Sequence, residues 1–358
     1  MATAGGRHRG LGRMRRPDGV VEAAPSATGV RCGWYGGACV WRGGREGAAG
    51  SPGASQGARG PRRHEVTVVR SLAEARQWVR SRQAAGQRVG LVPTMGALHD
   101  GHLALVGGCR GAGQADAVVL TVFVNPTQFA AGEDLERYPR DLDADCLRAR
   151  RAGVDLLCVP RDTDLYPLEP RVFVDVGRLG AVLEGVHRPT HFRGVATVVT
   201  KLLVVLTPDV VAFGQKDAQQ VVVVRRVVRE LLLTARVLCV PTVREADGLA
   251  LSSRNVYLTP AERVQAPVLS ASLEVASAAV RAGERSTAAV EAILGRELAR
   301  ADLGRVDYAA AVTLPDLQPL PTLAGDALLA VAVRFSAVRL LDNACLRVTG
   351  DVVTAVLP

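Results

Sequence analysis

Apolar and polar positions fall into blocks of two kinds along most of the chain. Short runs that are almost entirely apolar and rich in β-branched residues occupy positions 88–93, 117–124, 156–159, 210–213 and 235–240. Runs of that length are typical of strands buried on both faces of a parallel sheet. Between them lie stretches of helical composition. Positions 142–152 end at Gly153, a residue suited to a helix C-cap, and 194–206 stop before Pro208; 218–233 form a third candidate helix. Alternating strand and helix predict an α/β fold with a parallel, doubly wound sheet. Ligands are then expected at the carboxyl ends of its strands.

The pattern changes after about position 243. Thr259-Pro260-Ala261-Glu262 combines a Thr N-cap, Pro at the first helical position and Glu at the third. This predicts an Ala-rich helix running towards Gly283. A second helix and strands near 306–313, 328–335 and 345–348 complete a smaller α+β domain. The expected division is an Arg/Gly-rich extension over 1–63, a parallel α/β domain over 64–242 and a smaller α+β domain over 243–358. No internal repeat is evident.

Charge modifies this picture only at the amino terminus. The net charge is +9, yet residues 1–63 hold eleven Arg against three acids and sixteen of the 37 Gly. Without apolar periodicity this segment reads as a flexible extension, or as the product of a start codon assigned too far upstream. A nucleic-acid partner is expected only through that tail. The remainder is almost neutral, and no apolar run is long enough for a membrane span. Seven scattered Cys without a C-x-x-C pair indicate neither a disulfide framework nor a zinc site, and fit a reducing cytoplasm. Only two of the 44 cationic side chains are Lys, Lys201 and Lys216. A compact ammonium suits a tight phosphate contact that the Arg fork does not replace.

Neither a P-loop nor a complete G-x-G-x-x-G is present. Directly after the first strong strand, however, stands Pro93-Thr94-Met95-Gly96-Ala97-Leu98-His99-Asp100-Gly101-His102. A Gly turn and two His three apart at a helix start place both imidazoles beside free backbone N–H groups and the positive end of the helix dipole. Such donors suit an anion that gains charge during reaction. A metal pair would need a third ligand that the local sequence does not supply.

The HxGH element resembles that of the nucleotidylyltransferase superfamily, which has a Rossmann-like fold. The wider string 91–106 is similar to the pantoate–β-alanine ligase family. The resemblance continues through Phe123-Val124-Asn125-Pro126-Thr127-Gln128-Phe129 and the segments 134–140, 188–194, 213–220, 240–255 and 339–343. It implies ATP-dependent condensation of (R)-pantoate with β-alanine to pantothenate, through a pantoyl adenylate, with release of AMP and pyrophosphate. It also implies Mg2+ and a homodimer. By this resemblance His102, His99, Lys216 and Arg254 are the catalytic residues. ATP is expected against Met95, Gly96, Ala97, Leu98, His99, Asp100, Gly101 and His102, and against Gly214, Gln215, Lys216, Asp217, Val243, Leu251, Ser252, Ser253 and Arg254. Asp217 would meet the ribose hydroxyls, Gln128 and Gln220 the substrate, and Asp145 the metal, with Asp143 as second choice. Asn125 would shape a strand-end turn, Tyr138 and Arg188 would support closure, and His187 and His191 read as loop residues. A nucleotidylyltransferase acting on a phosphorylated acceptor is the alternative; it leaves Gln128 and Gln220 unexplained. Two departures stand out. Gly107-Gly108 should soften the helix after His102, and Phe335-Ser336 puts a hairpin before Arg339 in doubt.

Overall fold

The fold comes from a computed structural model, which describes residues 66–358 apart from 112, 113, 131 and 337. Of the first 65 residues it describes only two paired two-residue strands, Trp34–Tyr35 and Ala38–Cys39. The expectations for the extension otherwise lie outside the described residues.

Six strands form one wholly parallel sheet: β1 (Thr67–Val69), β2 (Val89–Thr94), β3 (Ala117–Val122), β4 (Leu156–Cys158), β5 (Val210–Gly214) and β6 (Arg236–Val240), in the order β1-β4-β3-β2-β5-β6. Every residue of 117–121 and 210–213 is buried, as strands covered on both faces require. Helices α1 (Leu72–Ala84), α4 (His191–Leu206) and α5 (Ala218–Glu230) bury Val79, Leu202 and Val221 against one face. Helices α2 (Asp100–Arg110) and α3 (Leu142–Arg151) bury Val106 and Ala149 against the other. Chain order reverses between β2 and β5. The carboxyl ends of these two neighbours form the switch-point crevice where such sheets bind ligands.

The second unit is an antiparallel meander of β7 (Arg305–Thr313), β8 (Gly325–Phe335), β9 (Val338–Thr349) and β10 (Val352–Ala355), with α6 (Val268–Arg281) and α7 (Thr287–Leu298) on one face. Along β8, Leu329, Val331 and Val333 pack towards the helices, whereas Leu328 and Ala330 pack with Ala218 and Val222 of α5. The period of two thus builds a core and an interdomain contact from one strand.

Two local expectations are corrected and a third gains a packing reason. The helix opening at Thr259 does not run unbroken to Gly283. It spans Pro260–Gln265, with the reciprocal Thr259–Glu262 cap in place, and restarts at Val268 after Pro267, whose ring interrupts the ladder. The hairpin across 335–338 does form, with Phe335 paired to Val338. Ser336 donates from N and Oγ to Glu262 Oε1, at 2.9 and 2.6 Å. In α2, Gly108 costs helix propensity but also meets a packing need. A Cβ there would lie 2.7 Å from Val240 Cγ2, while one at Gly107 would meet nothing within 4 Å.

Candidate active site

The turn between β2 and α2 builds the site's floor. Gly96 and Ala97 are both left-handed, with φ of 83° and 49°. For Ala this costs backbone strain that the surroundings must hold. Asp145 of α3 supplies the hold: its Oδ2 accepts from Ala97 N at 3.1 Å and its Oδ1 from Leu98 N at 2.7 Å. Gly96 is required for the same approach, because a Cβ would stand 2.8 Å from Asp145 Oδ2. Asp145, expected beside a metal, is 2% exposed, has both oxygens on this turn and does not line the cavity.

His99 then caps α2. Its Nδ1 accepts from Gly101 N at 3.2 Å, while His102 Nδ1 accepts from His99 N at 3.2 Å. Two orphan amides of the helix start are thereby satisfied reciprocally. Each Nδ1 is an acceptor, so each neutral ring carries its proton on Nε2. The ring centroids are 4.1 Å apart. Burial lowers the pKa of His99 to about 3, with His102 and Lys216 adding to it, and burial followed by Lys216 lowers that of His102 to about 4. At neutral pH both rings are uncharged Nε2–H donors.

Lys216 and Asp217 follow β5, across the switch point, with Nζ 3.7 Å from Oδ1. Asn343 of β9 fixes this turn by donating to the Gln215 and Lys216 carbonyls at 2.9 and 2.8 Å. Its neighbour Asp342 holds Arg244, with 3.0 Å to Nη2 and 2.5 Å to Nη1. The small sheet therefore supports the loop that carries the lysine.

These elements enclose a cavity of about 260 Å³. Met95, His99, Gly101, His102, Gln128, Gly214, Lys216, Asp217, Gln220, Val243, Leu251, Ser252, Ser253 and Arg254 line it together. Gly96, Ala97, Leu98, Asp100 and Gln215 are not lining residues; they belong to the turns beneath the lining residues or to the start of α2. Asp217 stands at the N-cap of α5 without a side-chain cap bond, which leaves its carboxylate to the cavity.

Asn125, also a lining residue, is a buried hub. Its Nδ2 donates to Gln128 Oε1 at 3.0 Å and Gly194 O at 3.2 Å, and its Oδ1 accepts from Tyr166 OH at 2.8 Å and Thr127 Oγ1 at 3.0 Å. Gly194 permits this closeness, since a Cβ there would lie 2.4 Å from Thr127 O. Gln128 Nε2 meets only Met95 Sδ, at 3.2 Å, and no hydrogen bond holds the Gln220 amide among the described residues. Both amides can serve a ligand.

Neither His187 nor His191 is a loop residue: His187 ends the short helix Glu184–His187, and the surroundings of His191 are more telling. His191 opens α4, lines the cavity and contacts Gln128 O through Nδ1 at 3.0 Å. Burial and Arg188 lower its pKa to about 4. Adjacent acids hold two cavity arginines: Glu133 takes Arg188 at 2.8 and 2.6 Å, and Asp134 takes Arg254 at 2.8 and 3.1 Å. Ser253 Oγ is 3.1 Å from Tyr138 OH. Asp134 and Arg254 lie in segments whose resemblance was visible in the sequence; Glu184 and Tyr308, which also line the cavity, carried no such signal.

A family model described as pantoate–β-alanine ligase matches residues 67–345. The chain is 48% identical over 281 residues to the pantothenate synthetase of Pelotomaculum thermopropionicum, covering 78% of this chain and 99% of that protein. It is 48% identical over 278 residues to that of Heliobacterium modesticaldum, covering 78% and 98%. A crystal structure of pantothenate synthetase from Thermus thermophilus superposes with a TM-score of 0.72 at 46% identity, covering 78% of this chain and 98% of that one. One of the Francisella tularensis pantoate–β-alanine ligase, complexed with β-γ ATP and β-alanine, gives 0.64 at 29% identity, covering 78% and 97%. With its switch-point histidines, lysine turn and paired amides in one cavity, the chain belongs to the pantoate–β-alanine ligase family.

Proposed function

We propose that the protein condenses (R)-pantoate with β-alanine to pantothenate, consuming ATP and releasing AMP and pyrophosphate through a pantoyl adenylate held in this cavity. The observation that carries this reading is the reciprocal cap of His99 and His102, which leaves two neutral Nε2–H donors opposite Lys216. In the first step a pantoate carboxylate oxygen attacks the α-phosphorus, the bond to the β-phosphate oxygen breaks, and pyrophosphate leaves. Charge grows on the phosphoryl oxygens during this step. Preorganised donors in a water-poor site stabilise it without having to reorganise. His99 and His102 supply them from the helix start, and Lys216 supplies positive charge from the turn after the neighbouring strand.

Adenosine lies against the Gly214 and Val243 backbone, with Asp217 accepting from the ribose hydroxyls. Ser252, Ser253 and Arg254 face the polyphosphate. Arg254 keeps two nitrogens on Asp134 and has Nη1 to offer. Gln128 and Gln220 orient pantoate, since amides can accept from its hydroxyls and donate to its carboxylate. In the second step the amine nitrogen of β-alanine attacks the pantoyl carbonyl carbon. The bond to the phosphate oxygen breaks, AMP departs, and the nitrogen loses a proton.

Magnesium does not fit Asp145 as its ligand, because both carboxylate oxygens are occupied by backbone amides. Among the described residues no group of three or more His, Cys, Asp or Glu could hold a metal ion. Mg2+ belongs to this reading as an ion carried by the triphosphate and its waters. A homodimer, inferred from the family resemblance, and a cytoplasmic location belong to it as well. The location is supported by free cysteines at 109, 146, 158, 239 and 345. No described helix is long and apolar enough to cross a membrane.

The test is pyrophosphate–ATP exchange with pantoate present and β-alanine absent. Pantoate-dependent exchange is the expected result. A folded, ATP-binding protein without it would turn the assignment towards nucleotidyl transfer to a phosphorylated acceptor.

A further inference from the structure

Of the chain's two lysines, Lys216 faces the cavity and Lys201 does not. Lys201 lies within α4, where its Nζ donates to Leu165 O at 2.7 Å and sits 3.9 Å from the centroid of the Tyr166 ring. Among the described residues no carboxylate pairs with this ammonium. A cation seated on the face of a ring resists displacement of that ring. Tyr166 closes the short helix Asp162–Leu165 that follows β4, and its ring also packs near Phe123, with centroids 6.3 Å apart. Like Lys201, Tyr166 does not line the cavity.

The phenol nevertheless points into the network behind the cavity wall. Its OH donates to Asn125 Oδ1 at 2.8 Å and lies 3.1 Å from Thr127 Oγ1, which itself donates to Asn125 Oδ1 at 3.0 Å. Burial raises the Tyr166 pKa, so the hydroxyl keeps its proton and stays a donor. The Asn125 amide is thereby given a direction. Its oxygen faces two hydroxyl donors, and its Nδ2 faces Gly194 O and Gln128 Oε1. Turning the amide over would set its oxygen against the Gly194 carbonyl, two acceptors with no proton between them. Asn125 is 1% exposed, so no solvent relieves that conflict.

The direction passes on to Gln128. With Oε1 committed to Asn125, the group left for a ligand is Nε2, which meets only Met95 Sδ. A linked series of this kind orders its last member more firmly than one bond does. Three residues outside the phosphate chemistry thus decide that Gln128 meets its ligand as a donor.

We propose that Tyr166, held in place by Lys201, is a positioning residue that acts through Asn125 to turn the Gln128 Nε2 donor towards an oxygen of pantoate. This inference rests on the ligase reading above. It is tested by pyrophosphate–ATP exchange with pantoate and ATP varied separately. Tyr166→Phe removes the hydroxyl and keeps the ring under Lys201. It is expected to raise KM for pantoate about tenfold, with kcat and KM for ATP within about twofold of the parent. Lys201→Met should shift KM for pantoate in the same direction, about threefold. In a Gln128→Ala background, Tyr166→Phe should add nothing, because the hydroxyl then has no donor to aim. An unchanged KM for pantoate in Tyr166→Phe, equal rises for pantoate and ATP, or a full additional effect in Gln128→Ala would overturn the assignment. Should Tyr166→Phe fail to fold, Lys201→Met decides: KM for pantoate at the parent value removes the inference. Absence of pantoate-dependent exchange in the parent would instead remove the ligase reading.

Discussion

The two histidines owe their chemistry to the single residue spacing that makes them cap each other. The motif was legible in the sequence as a phosphate device, because Gly, His and a helix start combine only a few ways. Its protonation was not legible, since burial and the Lys216 charge come from tertiary packing. Both pKa values are depressed, so the uncharged form is present above the folded values of about 3 and 4 and is lost only as pH falls through them. Long-range proton–nitrogen NMR of ring-labelled protein should therefore find both rings as neutral Nε2–H tautomers at pH 5.5, where a free imidazole would be mostly charged. Imidazolium signals from these positions would contradict the capping geometry. Catalytically, His102→Ala or Lys216→Ala should lower the exchange rate by two to three orders of magnitude with unchanged circular dichroism, the usual cost of one preorganised donor. Loss of less than fivefold would move the chemistry elsewhere. Asp145 teaches the converse: an acid at a family position read as metal-proximal, whereas its oxygens serve the strained Ala97 turn.

Among the elements, the buried strands and most helix ends could be read from apolar runs and punctuating Gly and Pro. The helix from Thr259 could not, because its cap signal was strong and the break at Pro267 lay inside a continuing Ala-rich pattern. Strand β10 was also missed; its Val352, Thr354 and Ala355 are exposed and give no buried face to detect. Gly107 and Gly108 show why sequence alone cannot rank neighbours. Both cost helix propensity, yet only Gly108 lies where α2 touches β6, 2.7 Å from a valine methyl if it carried a Cβ. Gly107→Ala should stabilise the protein by about 1 kcal/mol, by removing backbone freedom from the unfolded chain. Gly108→Ala should destabilise it by about 1–3 kcal/mol through overpacking. Denaturant midpoints of the two variants, which differ by one position and one methyl each, check the sign directly. Equal shifts would mean that α2 does not pack on β6 as closely as described.

At the scale of the molecule, the site needs both sheets. The parallel sheet presents His102 and Lys216 from neighbouring strands, but the Lys216 turn has its carbonyls held by Asn343 from the other unit, and Asp342 beside it holds Arg244 in the segment leading to Ser252. Asn343 is buried, so replacing it by Leu would leave two carbonyl acceptors without their donor, a loss of about 1–3 kcal/mol. Because those carbonyls belong to the loop that aims the ammonium, the loss should reach catalysis as well as stability. We expect Asn343→Leu to lower the thermal midpoint by several degrees and the exchange rate about tenfold. The control is Arg347→Ala on the same strand, which breaks an ion pair with Asp326 whose side chains are 56% and 33% exposed. Solvent screening leaves such an exposed pair with little weight in stability, and exchange should be unchanged. If Asn343→Leu retained full exchange despite a lower midpoint, the small sheet would be a stabilising neighbour only. If it lost exchange and the control did not, the contact between the sheets is what positions Lys216.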